Sequence, residues 1–116
     1  MSETYYVKTF GGLEITNDNV TVNIVELFGK QLVNLLQVLL FHSEKPVQKD
    51  ELIDILWPES KNPSSALKFS IFRLRSELNE IDFFKDKEVI VTTRKGTVSA
   101  LILPMILANK PFVILA

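Results

Sequence analysis

The stretch Ser64 to Asn79, SSALKFSIFRLRSELN, decides how the rest of the 116-residue chain is read. Leu67, Ile71, Leu74 and Leu78 recur at spacings of four, three and four, so a helix of ~3.6 residues per turn brings them onto one side. That stripe anchors an amphipathic helix. The other sides carry Lys68, Arg73 and Arg75, the short polar Ser65, Ser70 and Ser76, and two aromatics, Phe69 and Phe72, that the core stripe does not need. An anchored helix with a basic outer surface is able to lie in a DNA groove, so nucleic acid is the first partner to weigh.

The formal net charge of −1 speaks against a polyanion, because proteins that neutralise phosphates usually carry a basic surplus. The distribution reverses that impression. Residues 1 to 60 hold four Lys and no Arg against nine acidic residues, a net of −5; residues 61 to 116 hold nine basic against five acidic, a net of +4. Such asymmetry fits a two-sided molecule with one face for a polyanion and another for protein or solvent.

The length predicts one compact domain with a real core, and 47% hydrophobic with 23% charged residues is a globular composition. The absence of cysteine excludes disulfides and thiolate chemistry and is compatible with a reducing cytosol. The opening MSETYYVKTF has no apolar run of signal-peptide length, so the expected location is cytoplasmic.

Working back from the helix, Pro63 suits its first turn, and Glu59-Ser60-Lys61-Asn62 is a polar loop behind Trp57-Pro58. Lys49 to Leu56 reads as a shorter helix with Leu52, Ile55 and Leu56 inward and acids in its first turns, as the helix dipole favours. Gly29 to about His42 is the most apolar helix. Its leucines cover more than one face and Val33, Val38 and Phe41 widen it, which suits the centre of a small domain. His42, the only histidine, ends that helix, where an imidazole commonly meets free carbonyls; no ligand cluster surrounds it. Ahead lie three β-prone runs, Tyr5 to Phe10, Leu13 to Thr16 and Val20 to Ile24, with turn chemistry at Asn17-Asp18-Asn19. Three short antiparallel strands are expected there, with an irregular lead-in as the alternative. Beyond Asn79, Ile81 to Lys87 reads as a loop with Phe83 and Phe84 tucked inward. Val89 to Thr93 reads as a strand, Arg94-Lys95-Gly96 as a basic turn, and Val98 to Leu103 as the returning strand. Strands, three helices and a basic-tipped hairpin are the order of a winged helix-turn-helix, an α+β fold.

The segments Phe10-Gly11-Gly12-Leu13-Glu14, Val47 to Leu52, Leu56-Trp57-Pro58, Ala66-Leu67 to Arg73-Leu74-Arg75 and Val91-Thr92-Thr93-Arg94-Lys95-Gly96 together carry a family likeness. The chain resembles, over about Tyr6 to Gly96, the winged-helix effector domain of OmpR/PhoB-type regulators. It is most like the version that opens bacterial SARP-type transcriptional activators. The resemblance implies a four-stranded amino-terminal sheet and three helices, the third in the major groove of double-stranded DNA. A hairpin wing then touches backbone or minor groove. Carried over by position, Arg73 and Arg75 match the helix arginines, Ser65, Phe69 and Ser70 lie at groove-facing places, and Thr92 and Arg94 match the wing contacts. Lys68 and Lys95 join them on charge and position alone. Arg73 is suited to fork onto a guanine edge or a phosphate, Phe69 to meet a thymine methyl, and Lys68, Arg75, Arg94 and Lys95 to neutralise phosphates.

Two departures stand out. Phe72 takes the place of a polar or basic residue, which removes a phosphate contact and suits a partner surface. After Gly96, where the family continues with Tyr, a basic or polar residue and an aromatic, this chain reads Thr97-Val98-Ser99-Ala100. Gly-Tyr-Arg-Phe, coded GGN-TAC-CGT-TTC, becomes Gly-Thr-Val-Ser on loss of one base from the glycine codon, so a frameshifted tail is an open alternative to a native one. The winged helix is therefore expected over residues 1–103 and an apolar tail over 104–116, packed loosely or exposing a sticky patch. Pro104, Lys110 and Pro111 interrupt the tail and speak against a membrane span.

The functional expectation is sequence-specific DNA binding by the amino-terminal piece of a longer regulator, with RNA polymerase and a second copy on tandem sites as further partners. The rival is a winged helix used as a protein-interaction module. An enzyme is the weakest reading, because there is no cysteine, one histidine, no glycine-rich phosphate loop and no metal-ligand spacing; no cofactor and no metal are expected.

Overall fold

The structure is a computed structural model that describes residues 4–9, 12–42 and 45–101, and the backbone of 105–108. Phe10 and Gly11 of the amino-terminal motif, and most of the apolar tail, lie outside the described residues. In chain order the elements are β1 (Tyr5–Lys8), β2 (Glu14–Asn17), β3 (Val20–Asn23), the one-turn helix α1 (Ile24–Leu27), α2 (Lys30–His42), β4 (Val47–Gln48), α3 (Lys49–Leu56), α4 (Pro63–Asn79), β5 (Ile90–Thr92), β6 (Thr97–Ala100) and β7 (Met105–Ala108). This is the expected α+β winged helix, with α2, α3 and α4 as its three principal helices. The elements group into two compact units, Met1–Gly29 with Ile102–Ala116, and Lys30–Leu101.

In the first unit β1, β2 and β3 form an antiparallel meander. Asp18 and Asn19 both have positive φ, 49° and 70°, the left-handed pair that a two-residue type I′ hairpin requires and that Asn and Asp tolerate. Tyr5, Val7 and Ile15 are buried, while the Thr16 and Thr21 hydroxyls meet at 2.7 Å on the exposed side. The third strand stops one residue earlier than its alternation predicts. Asn23 Oδ1 accepts from the Glu26 N–H at 3.3 Å and starts α1, with Ile24 as its buried anchor.

The fourth strand of this sheet does not come from the amino-terminal segment. The order is β3-β2-β1-β7, and β7 pairs in parallel with β1 from Tyr5↔Met105 to Lys8↔Ala108. These four residues of the tail are thus a paired strand, a correction to the expectation of loose packing.

In the second unit α2 is buried at Leu32, Val33, Leu35, Leu36, Leu39 and Leu40 and packs against α3, α4 and β6. Phe41 does not extend that core; it is 52% exposed. The His42 Nδ1–H donates to the Val38 carbonyl at 2.9 Å, as a helix-terminal imidazole should. In α3 Leu52 is buried and Ile53 and Leu56 are half-buried, whereas Ile55, expected inward, is exposed. Residues at i, i+1 and i+4 define the covered face here, and i+3 falls outside it. Below α4, Phe84 is buried, but Phe83 is only half-buried and meets it edge-on with ring centroids 4.8 Å apart. The Asn79 Oδ1 accepts from the Asp86 N–H at 2.9 Å and ties the end of α4 to the segment leading into β5.

The second sheet has the order β4-β6-β5, with β6 in the middle. Its hairpin, β5 and β6, is the wing.

Candidate nucleic-acid interface

The core stripe of α4 is as the periodicity predicts: Leu67, Ile71, Leu74 and Leu78 are all buried. This fixes which residues face out. Ser65, Lys68, Phe69, Phe72, Arg73, Arg75 and Ser76 are exposed. Ser70 is not, and the groove-facing place assigned to it is corrected: it is 8% exposed. Position 70 lies three residues after Leu67 and four before Leu74, on the flank of the core stripe, and a small side chain fits under the helix there.

Arg73 is held along the helix axis. Its guanidinium lies 6.0 Å from the centroid of the Phe69 ring, one turn back, and 3.8 Å from the Glu77 carboxylate, one turn on. Both contacts are at exposed sites and orient the side chain more than they stabilise the fold.

Arg75 does something the sequence did not disclose. Its Nε–H donates to the Ile90 carbonyl at 3.2 Å and its Nη2 to the Thr92 Oγ1 at 3.0 Å, so one guanidinium bridges α4 to β5. Thr92 is half-buried, and its hydroxyl, having accepted from Arg75, keeps its own proton to donate.

At the wing tip Arg94 and Lys95 are exposed. The Gly96 N–H donates to the Thr93 carbonyl at 3.1 Å and the Thr93 N–H to the Thr97 carbonyl at 3.0 Å. Gly96 has φ +82°, the left-handed third loop residue that lets a three-residue hairpin close. The Thr93 and Thr97 hydroxyls, 2.7 Å apart, lock the base of the loop. Sequence reading also missed Lys49, whose N–H donates to the Gly96 carbonyl at 2.9 Å and joins the start of α3 to the wing. Lys49 shares with Lys68, Phe72, Arg75 and Thr92 a cleft of about 580 Å³ beside α4, with Asp50 the one acidic residue in its lining.

Residues 18–97 match the family described as "Transcriptional regulatory protein, C terminal", a span that takes in β3, all the helices and the wing turn. The chain belongs to this family of transcriptional regulatory domains. It is a regulatory family, not an enzyme class. Two solved structures share the fold. The DNA-binding domain of Escherichia coli CadC superposes with a TM-score of 0.59 at 26% identity, over 77% of this chain and 78% of that one. Mycobacterium tuberculosis EmbR, solved with a low-affinity phosphopeptide, gives 0.61 at 22% identity over 84% of this chain, which spans 25% of the EmbR chain. Against curated protein sequences there is no significant match. Among the described residues of this regulatory domain, no group of three or more His, Cys, Asp or Glu side chains is placed to hold a metal ion, and no helix is long and apolar enough to cross a membrane.

Proposed function

We propose that the chain binds double-stranded DNA sequence-specifically as the effector domain of a bacterial transcriptional regulator working in the cytoplasm. In this reading α4 lies in the major groove and the wing rests on backbone or minor groove. The observation that carries it is the Arg75 bridge. Through it a helix with a buried apolar side and exposed Lys68 and Arg73 is joined to a hairpin tipped by Arg94 and Lys95. Family membership and the CadC likeness support the same reading. Arg73 is the candidate base reader. Lys68, Arg94 and Lys95 are the candidate phosphate contacts, with Thr92 as a hydroxyl donor and Ser65 near the groove floor. RNA polymerase and a second copy on a tandem site are the further partners that the OmpR/PhoB likeness implies.

A band-shift assay on duplex DNA across a salt series tests this. Binding must weaken as salt rises, because each neutralised phosphate releases counterions. Failure to bind any duplex would favour the protein-interaction module, a reading that the exposed Phe72 supports. For the carboxyl-terminal residues we propose a shifted reading frame after Gly96. The gene's DNA tests it: a shifted frame after Gly96 that does not read on as a Tyr-containing hairpin rejects it.

A further inference from the structure

The outer side of α4 carries a second stripe. Ser65, Phe69, Phe72 and Ser76 recur at spacings of four, three and four, the same rhythm as Leu67, Ile71, Leu74 and Leu78 displaced by two residues. Two residues turn a helix by about 200°, so the two stripes lie on nearly opposite sides. The inner one is buried, and in the outer one Phe69 is 61% and Phe72 68% exposed. A single exposed aromatic needs no explanation, but two on adjacent turns at the centre of a helix's outer face form an apolar patch that wants a partner.

The charges around the patch indicate which partner. Lys68 and Arg75 border it on one side and Arg73 on the other. The one acid on the same helix beside it, Glu77, is paired with Arg73, while Asp50 and Glu88 line the clefts that Phe72 borders toward α3 and β5. An apolar ridge flanked by cations on both sides suits a surface that offers methyl groups inside a polyanion. The major groove offers them, because each thymine projects its 5-methyl there and each strand is lined with phosphates. Phe69 and Phe72 stand about 4.5 Å apart along the axis, at ~1.5 Å per residue, more than the ~3.4 Å between successive bases of a strand, so the two rings are able to meet different bases.

We infer that Phe69 and Phe72 together read thymine 5-methyl groups, with Arg73 held alongside for a neighbouring guanine edge. The site this domain selects is then defined mainly by thymines, and Phe72 is a specificity-determining residue and not a protein-docking one. The inference rests on the DNA-binding reading and can fail separately from it.

The test begins with selection of duplexes from a randomised library by the intact chain. Each thymine of the selected site is then replaced singly by uracil, which removes only the methyl. At one or more positions the parent protein should lose about fourfold in Kd, the ratio corresponding to ~0.8 kcal/mol for one buried CH2-sized group. Phe69→Ala and Phe72→Ala should each abolish the thymine-to-uracil difference at one position while melting like the parent. Equal affinity for the thymine and uracil duplexes at every position, with salt-dependent binding intact, would overturn the inference and leave the proposed function standing. A thymine-to-uracil difference that survives both substitutions would overturn it too. No enrichment of any duplex would remove both.

Discussion

The two sides of α4 obey one spacing and different physics. On the inner side every position of the stripe is aliphatic and buried, so each is constrained by volume, shape and the absence of polar atoms. On the outer side the same spacing carries Ser, Phe, Phe and Ser between cations, and all four are exposed among the described residues. The inner stripe explains why this helix exists. The outer stripe makes no such demand on the core, so under the proposed function its side chains are free to be set by DNA.

Substitutions on the two sides should therefore separate stability from binding. The largest effect is expected from Leu74→Ala, which opens a void at a fully buried position and should reduce unfolding free energy by ~2–5 kcal/mol in a denaturant titration. Binding measured on the fraction still folded should be unchanged. Arg73→Ala should do the reverse, weakening binding to the selected duplex by ~1–3 kcal/mol with the melting curve nearly unmoved. Unchanged affinity and selectivity would mean that this helix does not read bases through Arg73. Arg75→Ala sits between the two classes. Loss of its bonds to β5 should lower stability by about 1 kcal/mol, and amide exchange at Ile90 and Thr92 should quicken. Arg75→Lys should not restore the protection, because an ammonium cannot reproduce the two-pronged contact. The smallest effect is expected from Lys95→Ala, which should reduce the slope of log K against log salt by about one with no change in preferred sequence.

The parts of the fold legible in sequence are those written in local pattern. Lys49–Leu56 is bounded as its periodicity and flanking Trp57-Pro58 dictate, and the Asp18-Asn19 pair at the first hairpin is turn chemistry with one favoured geometry. At Ser70 and Ile55 residue polarity and helical angle point in opposite directions, and the angle prevails. A serine can sit under a helix and an isoleucine can face water when geometry puts them there. Pairing between residues far apart was not legible at all. Nothing near Met105 announces a parallel partner at Tyr5, and nothing near Arg75 announces an acceptor at Ile90. The candidate site was legible as a set of exposed basic residues. Its division of labour was not, since Arg75 as a bridge, Thr92 as its acceptor and Lys49 beside the wing all depend on contacts across the chain.

The position of β6 has a consequence for how this chain tolerates change. The family match ends at residue 97, at the start of Thr97–Ala100, yet this is the middle strand, paired to β4 through Val47↔Val98 and to β5 through Ile90↔Ala100. Main-chain pairing on both flanks is indifferent to which side chains the strand bears, provided they are small or β-prone enough to fit between neighbours. Val98, Ser99 and Ala100 are buried, so the strand keeps its pairing under replacement only where the new side chains fit the same space. Residues that project from the hairpin can then diversify on a backbone whose shape is inherited from its neighbours.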